Sequence, residues 1–206
     1  MFVVLTDSRC GSHMLRSLLN SHPQLECYDE ILGNNKADKN FWKLGKHEGF
    51  LASYSNLMAG DRFATHGYDI PRLLEKIKSV PVIHLTRDVT ERAKSQLVYG
   101  SVSKKRDIFR SANLEEPANI SAKHENFNHE DIEQTCNMFL QRQQECLALF
   151  ENQDDWLHIT YEWLCDNCEL KELSYHKSSV LCDHLQVPVT ALACSLYKIR
   201  KYVTTI

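Results

Sequence analysis

FVVLTDSRCGSHMLRSLLNSHP, residues 2–23, sets a β-branched apolar run, a polar turn and an amphipathic segment end to end. Phe2-Val3-Val4-Leu5 predicts a buried strand. Asp7-Ser8-Arg9-Cys10-Gly11-Ser12 predicts the turn, with its one glycine where the backbone bends sharply. Met14, Leu15, Leu18 and Leu19 recur at helical spacing, and His22-Pro23 stops the helix. A strand feeding a helix N-terminus through such a turn builds an anion site, because free N–H groups and the positive helix end converge on one point. Arg9 adds a fixed cation. The expectation is a phosphate or sulfate group held at residues 9–13. Residues 11–14 also spell GSHM, a common vector remnant. Apolar periodicity continues on both sides of them, so they are read as native.

Three anion chemistries compete for this turn. A nucleoside-triphosphatase loop needs Gly-x4-Gly-Lys-Ser/Thr, but no Lys precedes Ser12 and the turn has one Gly. Cys10 to Arg16 is Cys-x5-Arg, the pattern of phosphatases with a thiolate nucleophile and an Arg clamp. The low-molecular-weight phosphatases that begin this way also carry an Asp-Pro general acid, and the chain has no Asp-Pro.

The third chemistry accounts for more of the chain. Ser8-Arg9-Cys10-Gly11-Ser12-His13 resembles the 5′-phosphosulfate loop of sulfotransferases that use 3′-phosphoadenosine 5′-phosphosulfate (PAPS). The Arg-x-Gly-Ser core is kept, while Cys10 and His13 replace the commoner Ser and Thr. VPVIHLTRDVTERAKSQLVY, residues 80–99, resembles the segment with which that family holds the donor's 3′-phosphate. Arg87 ends a predicted strand, and Ser95 follows two turns into a predicted helix. A guanidinium and a hydroxyl on one phosphate make strong, oriented hydrogen bonds. Thr65-His66 resembles the Lys-Thr-His-x-Pro segment of cytosolic sulfotransferases, with Ala64 in place of Lys. That likeness makes His66 a candidate general base. LECYDEILG resembles the segment where bacterial and carbohydrate sulfotransferases carry a base, here Glu30. The predicted strand 156–160 runs into Tyr161-Glu162, which resembles the family's adenine-side tyrosine.

The resemblance implies an α/β, three-layer fold with a central parallel sheet, related to P-loop nucleotide kinases. It implies one sulfotransferase domain over residues 1–206. PAPS would be the donor, 3′-phosphoadenosine 5′-phosphate (PAP) the product, and no metal would be needed. The 5′-phosphosulfate would sit on the N–H groups of Cys10, Gly11, Ser12 and His13 and on the Ser12 hydroxyl. Arg9 would neutralise charge on the leaving oxygen. Arg87 and Ser95 would hold the 3′-phosphate, and Tyr161 would lie beside the adenine. The acceptor would bear a hydroxyl: a sugar, glycolipid, small metabolite or carrier-tethered acyl chain. A non-catalytic nucleotide-binding module is the alternative to an enzyme. The tail CSLYKIRKYVTTI lacks the family's Gly-rich basic loop, leaving Lys198, Arg200 or Lys201 as substitutes.

Composition fits these expectations. Net charge is −3, with no basic run of nucleic-acid type. No stretch approaches 18 apolar residues, so no membrane span is expected. The first residues enter a core strand directly, so no signal segment is expected there; a cytoplasmic enzyme is expected, with an excised catalytic domain as the alternative. Cys165-x2-Cys168 has no second pair at zinc spacing; His176 and Cys182 can complete a site only on paper. The eight cysteines are expected to be free thiols.

Strands are expected near 2–6, 62–66, 80–86 and 156–160, and helices near 12–21, 72–78, 89–99, 129–151 and 176–185. Their alternation argues a parallel sheet covered on both faces. The helix at 129–151 carries the stripe Ile132, Cys136, Phe139, Leu140, Cys146, Leu147 and Phe150. Residues 101–128 read as a long polar loop near the acceptor. FLASYSNLM, residues 50–58, is expected as a helix.

Overall fold

Every residue of Phe2–Thr6 is buried, so this strand, β1, must be covered on both faces. The computed structural model describes residues 1–30, 41–58, 70–103, 127–150, 153–165 and 172–194. In it β1 is the middle strand of a five-stranded, all-parallel sheet. Its neighbours are β3 (Glu48–Ser53) and β4 (Val82–Thr86). β2 (Glu26–Tyr28) and β5 (Leu157–Thr160) form the edges. Val4 lies opposite Leu51 of β3 and Ile83 of β4. The helices are α1 (Ser12–Asn20), α2 (Tyr54–Met58), α3 (Ile70–Lys78), α4 (Val89–Ser103), α5 (His129–Leu147), α6 (Tyr161–Cys165) and α7 (Tyr175–His184).

Strand alternation sorts the core into two layers. Phe2 and Val4 point to Leu15, Leu18 and Leu19 of α1, Leu164 of α6 and Leu181 of α7. Val3 and Leu5 point to Tyr54 and Leu57 of α2, Leu73 and Ile77 of α3 and Cys146 of α5. Each fully buried Leu or Phe side chain contributes about 2 kcal/mol of apolar transfer. Helix α5 starts as its sequence predicts: the Asn128 side chain accepts the Asp131 N–H, with Glu130 and Asp131 in the first turn.

Three sequence expectations change. Helix α4 runs on to Ser103, into the stretch expected as a loop from residue 101, and residues 104–126 of that stretch lie outside the described residues. FLASYSNLM is not one helix, because residues 50–53 belong to β3 and only Tyr54–Met58 is helical. Phe50, Leu51 and Ala52 are buried on alternate faces, which a strand beside β1 allows and an amphipathic helix does not. Helix α5 stops at Leu147, and Leu140 is 51% exposed, so it leaves the predicted apolar stripe. Phe150 is still buried, carried back by a turn in which its N–H donates to the Leu147 carbonyl. The expected strand 62–66 lies outside the described residues, as do Cys168 and the basic tail. All seven described cysteines are free.

His84 on β4 is 3% exposed. It shares hydrogen bonds with the Tyr54 hydroxyl and, at 2.9 Å, with His158 of β5. Burial, and then the neighbouring His158, pull its pKa from 6.5 down to about 4. The unfolded chain therefore binds the extra proton first. Stability is complete above pH 6.5 and falls as the pH drops through 6.5 toward 4, by about 3 kcal/mol in all. Urea unfolding at pH 7 and pH 4.5 checks this: a His84→Gln variant is expected to lose less stability than wild type between the two.

Candidate functional site

Connections leave β1 and β4 in opposite directions, α1 toward β2 and β3, α4 toward β5. The C-terminal ends of those two adjacent strands bound a topological switch point, where open parallel sheets form their ligand crevice. Residues 7–11 leave β1 there, and Arg87 and Asp88 leave β4.

The turn after β1 is left-handed twice, at Arg9 (φ 67°) and at Gly11 (φ 89°). Gly11 caps α1, with no side-chain hydrogen bond at the cap. Its carbonyl accepts the N–H groups of Met14 and Leu15. Among the described residues, the N–H groups of Cys10, Gly11, Ser12 and His13 have no partner. These are the orphan donors of a helix N-terminus. A Cβ at Gly11 would run into the Tyr161 ring. Gly11→Ala is therefore expected to lose about 2 kcal/mol or more, from left-handed strain and overpacking together. Thermal unfolding measures it.

Three other elements bring side chains to this turn. From α4, the Ser95 hydroxyl accepts from Arg9 Nε at 3.2 Å, and the Tyr99 ring lies under the Arg9 guanidinium, 4.7 Å to its centroid. From the end of β4, Arg87 Nη1 donates to the Arg9 carbonyl at 3.2 Å. The Arg87 guanidinium stacks 4.6 Å from the centroid of Tyr161, the first residue of α6. Arg87 Nε is buried without a hydrogen-bond partner among the described residues. Burial lowers the Arg9 pKa, Tyr99 opposes the shift, and Arg87 adds to it by repulsion. Guanidiniums stay charged at such shifts. Among the described residues neither Arg9 nor Arg87 pairs with a carboxylate. The structure thus brings Arg9, Gly11, Ser12, Arg87, Ser95 and Tyr161 to one place.

Glu30 follows β2, and His13 stands in the first turn of α1. Burial and then the Asp29 charge raise the Glu30 pKa, while His13 and Asn56 pull it down. A raised carboxylate is the stronger base of its kind. His13 is exposed and stands 3.9 Å from Asp29, which also takes Arg16 at 2.7 Å. His66 lies outside the described residues.

The Cys-x5-Arg pattern does not form a phosphatase site. Cys10 is 2% exposed within the apolar layer of Leu15 and Leu18, and burial pushes its thiol up despite the nearby Arg92. A nucleophilic thiolate needs the opposite. Arg16 is turned to Asp29 rather than to the turn. Iodoacetamide at pH 7.5 is expected to spare Cys10 in the folded protein and label it once urea is added, as read by mass spectrometry.

Sequence reasoning did not find Tyr99, Arg92 or Asp7. A signal for the first two is present: Arg92, Ser95 and Tyr99 stand at helical i, i+3, i+7 spacing, so placing Ser95 at the site places its neighbours there. Asp7 meets Arg92 only through the fold.

No family model matches the chain, and no curated protein sequence matches it. Among solved structures it is similar to the crystal structure of a sulfotransferase from Alicyclobacillus acidocaldarius. The TM-score is 0.56 at 12% identity, over 97% of this chain and 86% of that one. At such identity the likeness shows the fold: a parallel α/β sheet, flanked by helices, that a sulfotransferase also has.

Proposed function

We propose that residues 1–206 act as one sulfotransferase domain, moving a sulfuryl group from PAPS to an acceptor hydroxyl. The reading is carried by one observation. Arg9, Arg87 and Ser95 converge on the α1 turn, where no side chain bonds the cap, at the switch point, with two guanidiniums that have no carboxylate partner among the described residues. Two cations and a row of free amides suit a donor with two separate anionic groups.

The amides of residues 10–13 and the Ser12 hydroxyl would hold the 5′-phosphosulfate of PAPS. Arg87 would take the 3′-phosphate with its guanidinium, and Ser95, whose oxygen accepts from Arg9, keeps its own O–H to donate. Tyr161 would stand on the adenine side. PAPS, when bound, supplies an activated sulfuryl group. Arg9, fixed between Ser95 and Tyr99, would neutralise charge at the bridging oxygen. Glu30 or His66 would take the acceptor's proton and orient its oxygen for in-line attack. The acceptor class is a hydroxyl on a sugar, glycolipid, small metabolite or carrier-tethered acyl chain. Among the described residues no helix is long and apolar enough to cross a membrane.

Calorimetric titration tests this reading. PAP is expected to bind and adenosine 5′-monophosphate, which lacks the 3′-phosphate, to bind far more weakly. Equal binding of the two, or none by folded protein, contradicts it.

A further inference from the structure

Arg92 of α4 is 3% exposed, yet it carries a charge. Its Nε donates to the Ser8 carbonyl at 2.9 Å, and its Nη2 meets the Asp7 carboxylate. Its guanidinium lies on the Phe139 ring, 3.5 Å from the centroid. The Asp7 side chain is 1% exposed and accepts the Ser8 N–H at 2.7 Å. One buried ion pair therefore holds both main-chain polar groups of Ser8. Arg142 of α5, 27% exposed, approaches both Asp7 oxygens at 3.4 Å. The next residue along the chain is Arg9, in the left-handed conformation that L side chains adopt only under constraint.

We propose that Asp7 and Arg92 are positioning residues of the anion turn: by fixing the Ser8 peptide they hold Arg9 left-handed, with its guanidinium against Ser95 and Tyr99. The argument rests on what such a pair does for stability. Desolvating two charges offsets much of their attraction, and an apolar pair of similar volume serves a core equally well. What an apolar pair lacks is a donor for the Ser8 carbonyl and an acceptor for the Ser8 N–H. Arg92, Ser95 and Tyr99 form one stripe of α4, and all three touch the turn at Ser8 or Arg9. The stripe acts as a template for the turn. The proposal rests on the donor-site reading for its consequence, a loss of PAP binding, but not for its geometry.

The test is the double variant Asp7→Leu with Arg92→Met, in the full chain. Arg142 is exposed enough to turn to water once Asp7 is gone. Three quantities are measured beside wild type: the urea midpoint, the amide NMR spectrum with the HN–Hα coupling of Arg9, and PAP affinity. The expected result is a midpoint at or above wild type, displaced or broadened resonances for Arg9, Cys10 and Gly11, and PAP affinity reduced about tenfold or more. A folded double variant with wild-type resonances and coupling at residues 9–11 overturns the proposal. Should the double variant fail to fold, Arg92→Lys decides, since it keeps the charge and loses the fork that reaches carboxylate and carbonyl together. The same disturbance of residues 9–11 supports the proposal, and an unchanged turn overturns it. Absence of PAP binding by wild type contradicts only the donor-site reading, because the spectrum reports the positioning by itself.

Discussion

Arg87→Ala is expected to weaken PAP binding by about a hundredfold while leaving adenosine 5′-monophosphate binding within a few-fold of wild type. The side chain donates to the Arg9 carbonyl with one nitrogen, rests its plane on Tyr161 and keeps a buried Nε without a partner among the described residues. A guanidinium held so on two sides has lost its freedom before any ligand arrives, so little is spent in ordering it. Charge-assisted hydrogen bonds to a phosphate contribute about 1.5–3 kcal/mol, and the upper part of that range is close to a hundredfold. The stability cost is smaller, about 1 kcal/mol for one part-buried hydrogen bond and its ring contact. Calorimetry with both nucleotides and a thermal melt separate the two effects. Equal losses for both ligands would place the 3′-phosphate elsewhere.

Phe139→Ala is the expected large loss of stability, about 3–5 kcal/mol, a substantial part of what a domain of this size possesses. Phe139 is 1% exposed, and its ring supports the Arg92 guanidinium at 3.5 Å and faces that of Arg142 at 6.0 Å. Truncation removes the buried ring and leaves a cavity beside a buried charge. Water admitted there would hydrate Arg92 and weaken its grip on Asp7 and Ser8. Urea unfolding measures the loss. Phe139→Leu, which keeps most of the volume but no π face, is expected to recover more than half of it. A loss below about 1 kcal/mol for alanine would show that α5 does not anchor the α4 stripe.

Residues 2–23 and 80–99 made much of this legible, because each is a strand, a turn and a helix in one continuous stretch, and local pattern determines all three parts. β3 was harder. Its run Gly49-Phe50-Leu51-Ala52 is apolar without alternation, since a strand beside the middle of a parallel sheet is buried on both faces. Such a run does not separate strand from helix by periodicity. β2 has three residues, too few for any period. At the site, Arg9, Gly11, Arg87 and Ser95 come from those two stretches, and the fold brings them to one turn. The left-handed backbone at Arg9 was not legible, because arginine carries no preference for it; the Asp7–Arg92 pair that holds it joins residues 85 apart in sequence. Cys10 shows the converse. Its spacing to Arg16 matched a phosphatase motif, but its side chain points into the core and Arg16 turns to Asp29, which sets that chemistry aside.

The most direct measurement is a crystal structure of the wild-type protein with PAP. The account predicts the 5′-phosphate on the amides of residues 10–13 and the 3′-phosphate within hydrogen-bonding distance of Arg87 and Ser95. PAP bound away from the α1 turn, or with its 3′-phosphate in solvent and Arg87 unmoved, would contradict it.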